Sequence, residues 1–197
     1  APIHCPVPLV LTLHDIIFLE PRQGGNRSWY QNMGWYYRRM VVPRILSQCE
    51  KIITVSHFEC NRIREALQLP KDKITAIYNG YSEHFRPLSE TLSITRKYID
   101  DDDYIFFLGN TDPKKNVART LKAYSLYLKQ SDKKRPLLIA DLSKDKLDAI
   151  LREQQIEEIK PYLSYPGYIP NKDLAYLYNG AFVFLYTSLR ESFGIPM

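Results

Sequence analysis

Short apolar runs alternate with amphipathic stretches along the whole chain, the pattern of repeated βα units that feed a parallel sheet. Runs at 8–13, 52–55, 74–78, 104–108, 137–140 and 181–187 predict strands. The last of them, Ala-Phe-Val-Phe-Leu-Tyr-Thr, is unbroken by polar residues until its end, as expected of a strand buried on both faces. Helical patterns lie between the runs. Ser56 followed by Glu59 is a capping box and predicts a helix over 57–67. Asn116 is placed as the N-cap of a helix with Val117, Leu121, Tyr124 and Leu128 on one face, ending near Lys129. Ser143 caps a third helix that runs to Gln154. Asn171, after Pro170, opens a fourth that Gly180 closes as a left-handed C-cap. Further upstream, Tyr30, Met33, Tyr37 and Val41 follow helical spacing and are read as a core-facing helix. The same region, with Trp29, Trp35 and Tyr36 beside Arg38 and Arg39, also has the chemistry of a membrane interface, and the core-facing reading is preferred.

The alternation breaks between Ser82 and Asp103, where Pro87, scattered Ser and Thr and the acid run Asp100–Asp103 read as an interdomain linker. That divides the chain into a first domain at 1–81, a linker at 82–103 and a second domain at 104–197. Composition is ordinary for a globular protein, with 45% apolar and 25% charged residues. No apolar run is long enough for a transmembrane helix, and the start lacks the features of a signal peptide, so a cytoplasmic location is expected. The cysteines, Cys5, Cys49 and Cys60, have no paired spacing and are read as buried thiols. A net charge of +5 fits an anionic partner such as a nucleotide, a nucleic acid or a membrane surface.

Candidate chemistry gathers at strand ends, where ligands bind in open α/β sheets. The strand at 104–108 runs into Gly109-Asn110-Thr111-Asp112-Pro113-Lys114-Lys115-Asn116 and then a helix. A glycine there lets backbone approach a ligand, two lysines bring positive charge, and the helix start offers free N–H groups, a combination suited to a pyrophosphate. The loop matches neither a Walker A sequence nor a dinucleotide Gly-x-Gly-x-x-Gly pattern. Glu191 follows the run at 181–187, and His14-Asp15 follows the run at 8–13. The histidines have no metal-ligand spacing, and the only Asp-x-Asp letters fall in the acid run, so no metal is expected.

Taken in order, these segments resemble those of bacterial family 4 glycosyltransferases of the GT-B type (glycosyl transferases group 1). Thr12-Leu13-His14-Asp15 is similar to that family's T-x-H-D, the segment Ile52–Phe58 to I-x-T-V-S-x-F, and Tyr78-Asn79-Gly80 to Y-N-G. Gly109–Asn116 is similar to G-x-x-x-P-R-K-N with Lys114 in place of Arg; Leu174, Leu177, Tyr178 and Ala181 match L-x-x-L-Y-x-x-A. Glu191, Phe193, Gly194 and Pro196 match E-x-F-G-x-P. The resemblance implies an α/β fold with two Rossmann-like domains and parallel sheets, the first incomplete and the second truncated, since the family's second Glu falls past Met197. It implies that 1–81 is acceptor-side and 104–197 binds a nucleoside-diphosphate sugar, the co-substrate, with no further cofactor.

The implied activity is transfer of a hexosyl group, with retention, to a glycan or lipid-linked acceptor in envelope polysaccharide or glycan biosynthesis, with a truncated chain expected to be inactive alone. The implied catalytic set is Glu191 on the donor-sugar hydroxyls, Lys115 on the diphosphate and His14 on the acceptor side. Gly109, Asn110, Lys114, Ile169, Phe193 and Gly194 complete the donor-binding set. Replacing Arg by Lys114 loses a bidentate grip on phosphate. Partners are then the donor, the acceptor and, by peripheral contact, an anionic membrane at the inner face of the cell membrane, with no nucleic acid. A sugar-nucleotide epimerase of the same fold and a non-catalytic nucleotide- or polyanion-binding module are the alternatives.

Overall fold

The computed structural model describes residues 6–20, 29–110 and 112–194, with backbone alone at Gln31. Cys5 lies outside these, as do Thr111 and Pro196 of the motifs quoted above. The chain forms two compact units, one containing the residues up to Gly80 together with Ser192, Phe193 and Gly194, the other containing Tyr81–Glu191.

The first unit is a parallel three-stranded sheet in the order β1 (Leu9–Thr12), β2 (Cys49–Thr54), β3 (Ile74–Ala76). Its helices are α1 (Trp29–Gln48) and α2 (His57–Leu67). Register pairs Leu11 with Ile52 and Ile52 with Ile74, which sets these side chains on one face. Val41, Ile45 and Leu46 of α1 and Cys60 and Ile63 of α2 pack on that same face, so both helices cover one side of the sheet. The start of α2 is as expected: the Ser56 hydroxyl accepts from the Glu59 N–H. The buried Glu59 carboxylate is met by Arg62 at 3.0 Å, and burial raises its pKa against that charge.

The second unit is a parallel sheet in the order β6-β5-β4-β7, made of β4 (Ile105–Leu108), β5 (Leu137–Ala140), β6 (Leu163–Gly167) and β7 (Val183–Leu185). Its helices are α3 (Leu92–Thr95), α4 (Val117–Gln130), α5 (Lys144–Gln154) and α6 (Asn171–Gly180). Ile105, Phe107, Leu137 and Ile139 point toward α4 and α5. Their neighbours Phe106, Leu138 and Ala140 point the other way, toward α6 and Ile99. Both faces are therefore covered, which is why β4 and β5 read as continuous apolar runs. Residues 82–103, expected as a linker, include α3 and the buried Thr95 and Ile99, and Asp103 pairs with Lys133 and Arg135.

Four expectations are corrected. The run at 181–187 forms strand only over Val183–Leu185, with Phe182 and Val183 exposed, because β7 lies at the edge of the described sheet rather than inside it. Gly180 is not a left-handed C-cap; α6 leaves through Ala181 in an extended conformation. Glycine is required there for space, since a Cβ would stand 2.9 Å from Thr95 Cγ2 and 3.0 Å from the Tyr104 hydroxyl. Asn116 precedes α4 in the left-handed region and makes no side-chain cap; its amide donates instead to the Thr187 carbonyl. Finally, Tyr30, Met33 and Tyr37 do not face the core: Tyr30 is 83% exposed. Trp29, Met33, Tyr36 and Met40, spaced by four, three and four, form one exposed stripe flanked by Tyr30 and Tyr37, while Ile45 and Leu46 turn inward. Helical spacing identifies a shared face but not which face is buried.

Candidate functional site

The carboxyl ends of β4, β5 and β7 bring together most of the expected donor residues of the second unit. Gly109 continues β4 through a bond from its N–H to the Ala140 carbonyl at 3.0 Å. An added Cβ would sit 3.2 Å from Ile139, so the close backbone approach explains the glycine. Asn110 accepts from the Asp112 N–H at 2.8 Å, and Asp112 accepts from the Lys114 N–H at 3.0 Å, two short turns that shape the loop before a 3-10 turn at Pro113–Lys115.

That loop is tied to the segment after β7 at several points. The Leu189 N–H donates to the Lys114 carbonyl at 2.7 Å, Asn116 Nδ2 to the Thr187 carbonyl at 3.2 Å, and the Thr120 and Thr187 hydroxyls meet at 2.7 Å. The result is direct: Lys115 Nζ reaches Glu191 Oε1 at 2.7 Å although they lie far apart in the chain. Burial pushes the Glu191 carboxyl upward, but hydrogen bonds from Lys115 and Ser188 and the charges of Lys115 and Lys114 outweigh it, leaving it below its ordinary value of 4.5. Glu191 is thus an anion and a hydrogen-bond acceptor. Lys114 turns to Asp112 at 3.8 Å and stays more exposed. With Asn116 engaged elsewhere, its side chain does not cap the first N–H groups of α4, a helix that begins just after the β4 strand end.

Three further groups here escaped the sequence reading. Tyr186 places a buried hydroxyl, without a hydrogen-bond partner in good geometry, beside this pair; burial and then the Glu191 charge raise its pKa, and Lys115 Nζ lies 5.9 Å from its ring centre. Asp141 follows β5 in the left-handed region at φ 59°, and burial raises its carboxyl. A non-glycine residue in that conformation at a strand end is the signal that could be sought, but only the backbone reveals it. Thr187 and its partner Thr120 belong to no recognisable motif.

The remaining expected residues are placed as follows. Ile169 is buried in the α6 core, its side chain among Leu174 and Leu177. His14 is exposed in the first unit, and its neighbour Asp15 is used structurally, accepting from the Ile17 N–H at 3.0 Å and the Ser192 hydroxyl at 3.1 Å. Phe193 and Gly194 also belong to the first unit, where Phe193 packs on Tyr78 and Gly194 has φ 82°.

Residues 92–197 match the family described as Glycosyl transferases group 1, and residues 1–84 match Glycosyltransferase Family 4. The chain is 29% identical over 192 residues to O-antigen chain mannosyltransferase B of Escherichia coli, covering 95% of this chain and 49% of that protein. Among solved structures, sucrose-phosphate synthase from Thermosynechococcus elongatus superimposes with a TM-score of 0.71 at 17% identity, over 95% of this chain and 46% of that one. The Anabaena protein HepE, solved with UDP and glucose, gives 0.68 at 15% identity over 95% and 48%. These likenesses show a GT-B-type α/β fold with parallel sheets. The chain spans about half, or less, of the length of the curated relatives it matches. With more than half of its residues matched by the first of the two families, the chain belongs to the glycosyl transferases group 1.

Proposed function

We propose that this chain carries the donor site of a hexosyltransferase that uses a nucleoside-diphosphate sugar, with 104–197 as the donor-binding region and 1–81 on the acceptor side. The observation that carries this reading is the Lys115–Glu191 pair at the carboxyl ends of the second sheet, next to the uncapped start of α4. Departure of a nucleoside diphosphate develops negative charge on phosphate oxygens. Lys115, Lys114 and the α4 N–H groups are fixed positive partners for that charge, and they need no metal to act. Glu191, held anionic, accepts hydrogen bonds from donor-sugar hydroxyls. His14, exposed in the first unit, is assigned to the acceptor side. Similarity to an O-antigen mannosyltransferase supports a mannosyl group as the cargo and an envelope polysaccharide as the product; retention of anomeric configuration is part of the proposal through the motif resemblance alone.

Titration of nucleoside diphosphate into the chain before and after Lys115→Ala tests the site. Loss of one charge-assisted contact weakens binding by about 1.5–3 kcal/mol. Unchanged affinity in a folded variant removes Lys115 from the site and this reading with it.

An anionic bilayer is a further partner in this proposal. No described helix is long and apolar enough to cross a membrane. The exposed stripe of Trp29, Tyr36 and Met40 on α1, with Arg44 on the same side, has the chemistry of a helix lying in a headgroup layer. Sedimentation with vesicles containing anionic lipid checks it: binding is expected, and should fall when Trp29 and Tyr36 are changed to Ser.

A further inference from the structure

The second unit holds a cleft of about 380 Å³ away from the strand ends, sharing no residue with the Lys115–Glu191 site. It lies along α6 beside α3, lined by His84, Arg86, Lys97, Lys172, Asp173 and Tyr176 among others. Such a volume is at the small end of the range for pockets that take small molecules.

Its charges are arranged unlike those nearby. Arg96, adjacent to Lys97, is committed to Asp102 at 2.9 Å, and Arg135, Lys133 and Lys160 are likewise paired with carboxylates. Arg86, Lys97 and Lys172 form no ion pair among the described residues, yet all three border one concavity. Like charges so gathered repel, and an anion between them relieves that repulsion. The one carboxylate in the wall, Asp173, is buried and already engaged: its Oδ2 accepts from the Tyr98 hydroxyl at 2.6 Å. That bond and burial push the Tyr98 phenol up to about 12, so Tyr98 stays a donor. Asp173 Oδ1 remains as an acceptor for a ligand hydroxyl. The cleft therefore offers cations for a doubly charged anion and an acceptor for a hydroxyl, with the Tyr176 ring, Leu88 and Ile94 supplying apolar wall.

We infer that this cleft binds a phosphorylated hexose, its phosphate among Arg86, Lys97 and Lys172 and a hydroxyl on Asp173. The sugar phosphate is either a free metabolite or the end of a longer glycan, and both present the same chemistry.

The test is calorimetric titration of a hexose 6-phosphate into the chain carrying Lys115→Ala, which weakens the proposed donor site. Saturable binding is expected, tighter than that of inorganic phosphate and absent with the unphosphorylated hexose. Lys97→Gln with Lys172→Gln should weaken it at least tenfold. Both lysines are exposed, so an unchanged melting temperature certifies the fold of the double variant. A phosphorylated disaccharide separates the sources: tighter binding than the hexose 6-phosphate points to a glycan end, weaker binding to a free metabolite. No saturable binding, indifference to the two substitutions, or equal affinity for inorganic phosphate overturns the inference.

Discussion

The two sheets of this chain are built from the same βα grammar yet differ in how they are covered. In the second unit, α4 and α5 lie on one face and α6 on the other, so β4 and β5 alternate between two cores. In the first, α1 and α2 share a face, and the opposite face presents Val10, Thr12 and Thr75 to solvent. Strand patterns follow: β5 is buried at every residue, whereas β1 alternates half-buried and exposed. The lesson is that an unbroken apolar run reports two-sided cover when the strand lies inside the sheet, as β4 and β5 do and the edge strand β7 does not. An alternating one reports a single core, and helix number alone distinguishes neither.

The strongest way to break this comparison is at Phe106, fully buried between β4's neighbours and packed edge-on to Tyr178 at 5.1 Å. Phe106→Ala is expected to cost about 3–5 kcal/mol, read as lost amide protection across the second unit. Equal loss throughout the first would show that the two units do not have separate cores. A smaller effect is expected of Gly180→Ala, where the new methyl meets Thr95 and Tyr104; about 1–3 kcal/mol should be lost, and a neutral outcome would mean α6 can shift freely.

Acid sharpens the comparison further. The folded Glu191 carboxyl sits below its ordinary 4.5, so its contribution is present above about that pH and is lost as pH falls through the folded value. The pair is part-exposed, so the contribution is below about 1 kcal/mol, and Glu191→Gln should flatten the acid limb of second-unit stability by that amount. At the bottom of the scale, Val10→Thr on the open face should change stability by less than about 0.5 kcal/mol. A loss several times larger would mean that this face is covered in solution.

Much of the fold was legible because its signals are local and apolar. The interior strands β4 and β5 and the face of α4 follow from periodicity, and Ser56 announces α2 through its own hydroxyl. What stayed hidden depends on neighbours. Strand β6, Leu-Ser-Tyr-Pro-Gly, has no apolar run because it is a sheet edge, where Pro166 need not donate to a ladder. Gln68 and Gln155 end α2 and α5 in the left-handed conformation usually taken by glycine, so neither helix end carried its customary mark. Within the candidate site, Lys115 and Glu191 were marked by position and motif, whereas Tyr186 and Asp141 emerge only when the strand ends converge.

The contact between Lys115 and Glu191 also has a kinetic side. Before any ligand arrives, the lysine is already neutralised by a tethered carboxylate 2.7 Å away, so an incoming phosphate competes with an internal anion that never diffuses off. On the proposed function, that competitor would weaken the grip on donor and spent nucleotide alike. On the proposed reaction, the product would be dislodged as Glu191 reclaims the ammonium, shortening its residence time, and an enzyme paced by product release would turn over faster for holding its phosphate loosely.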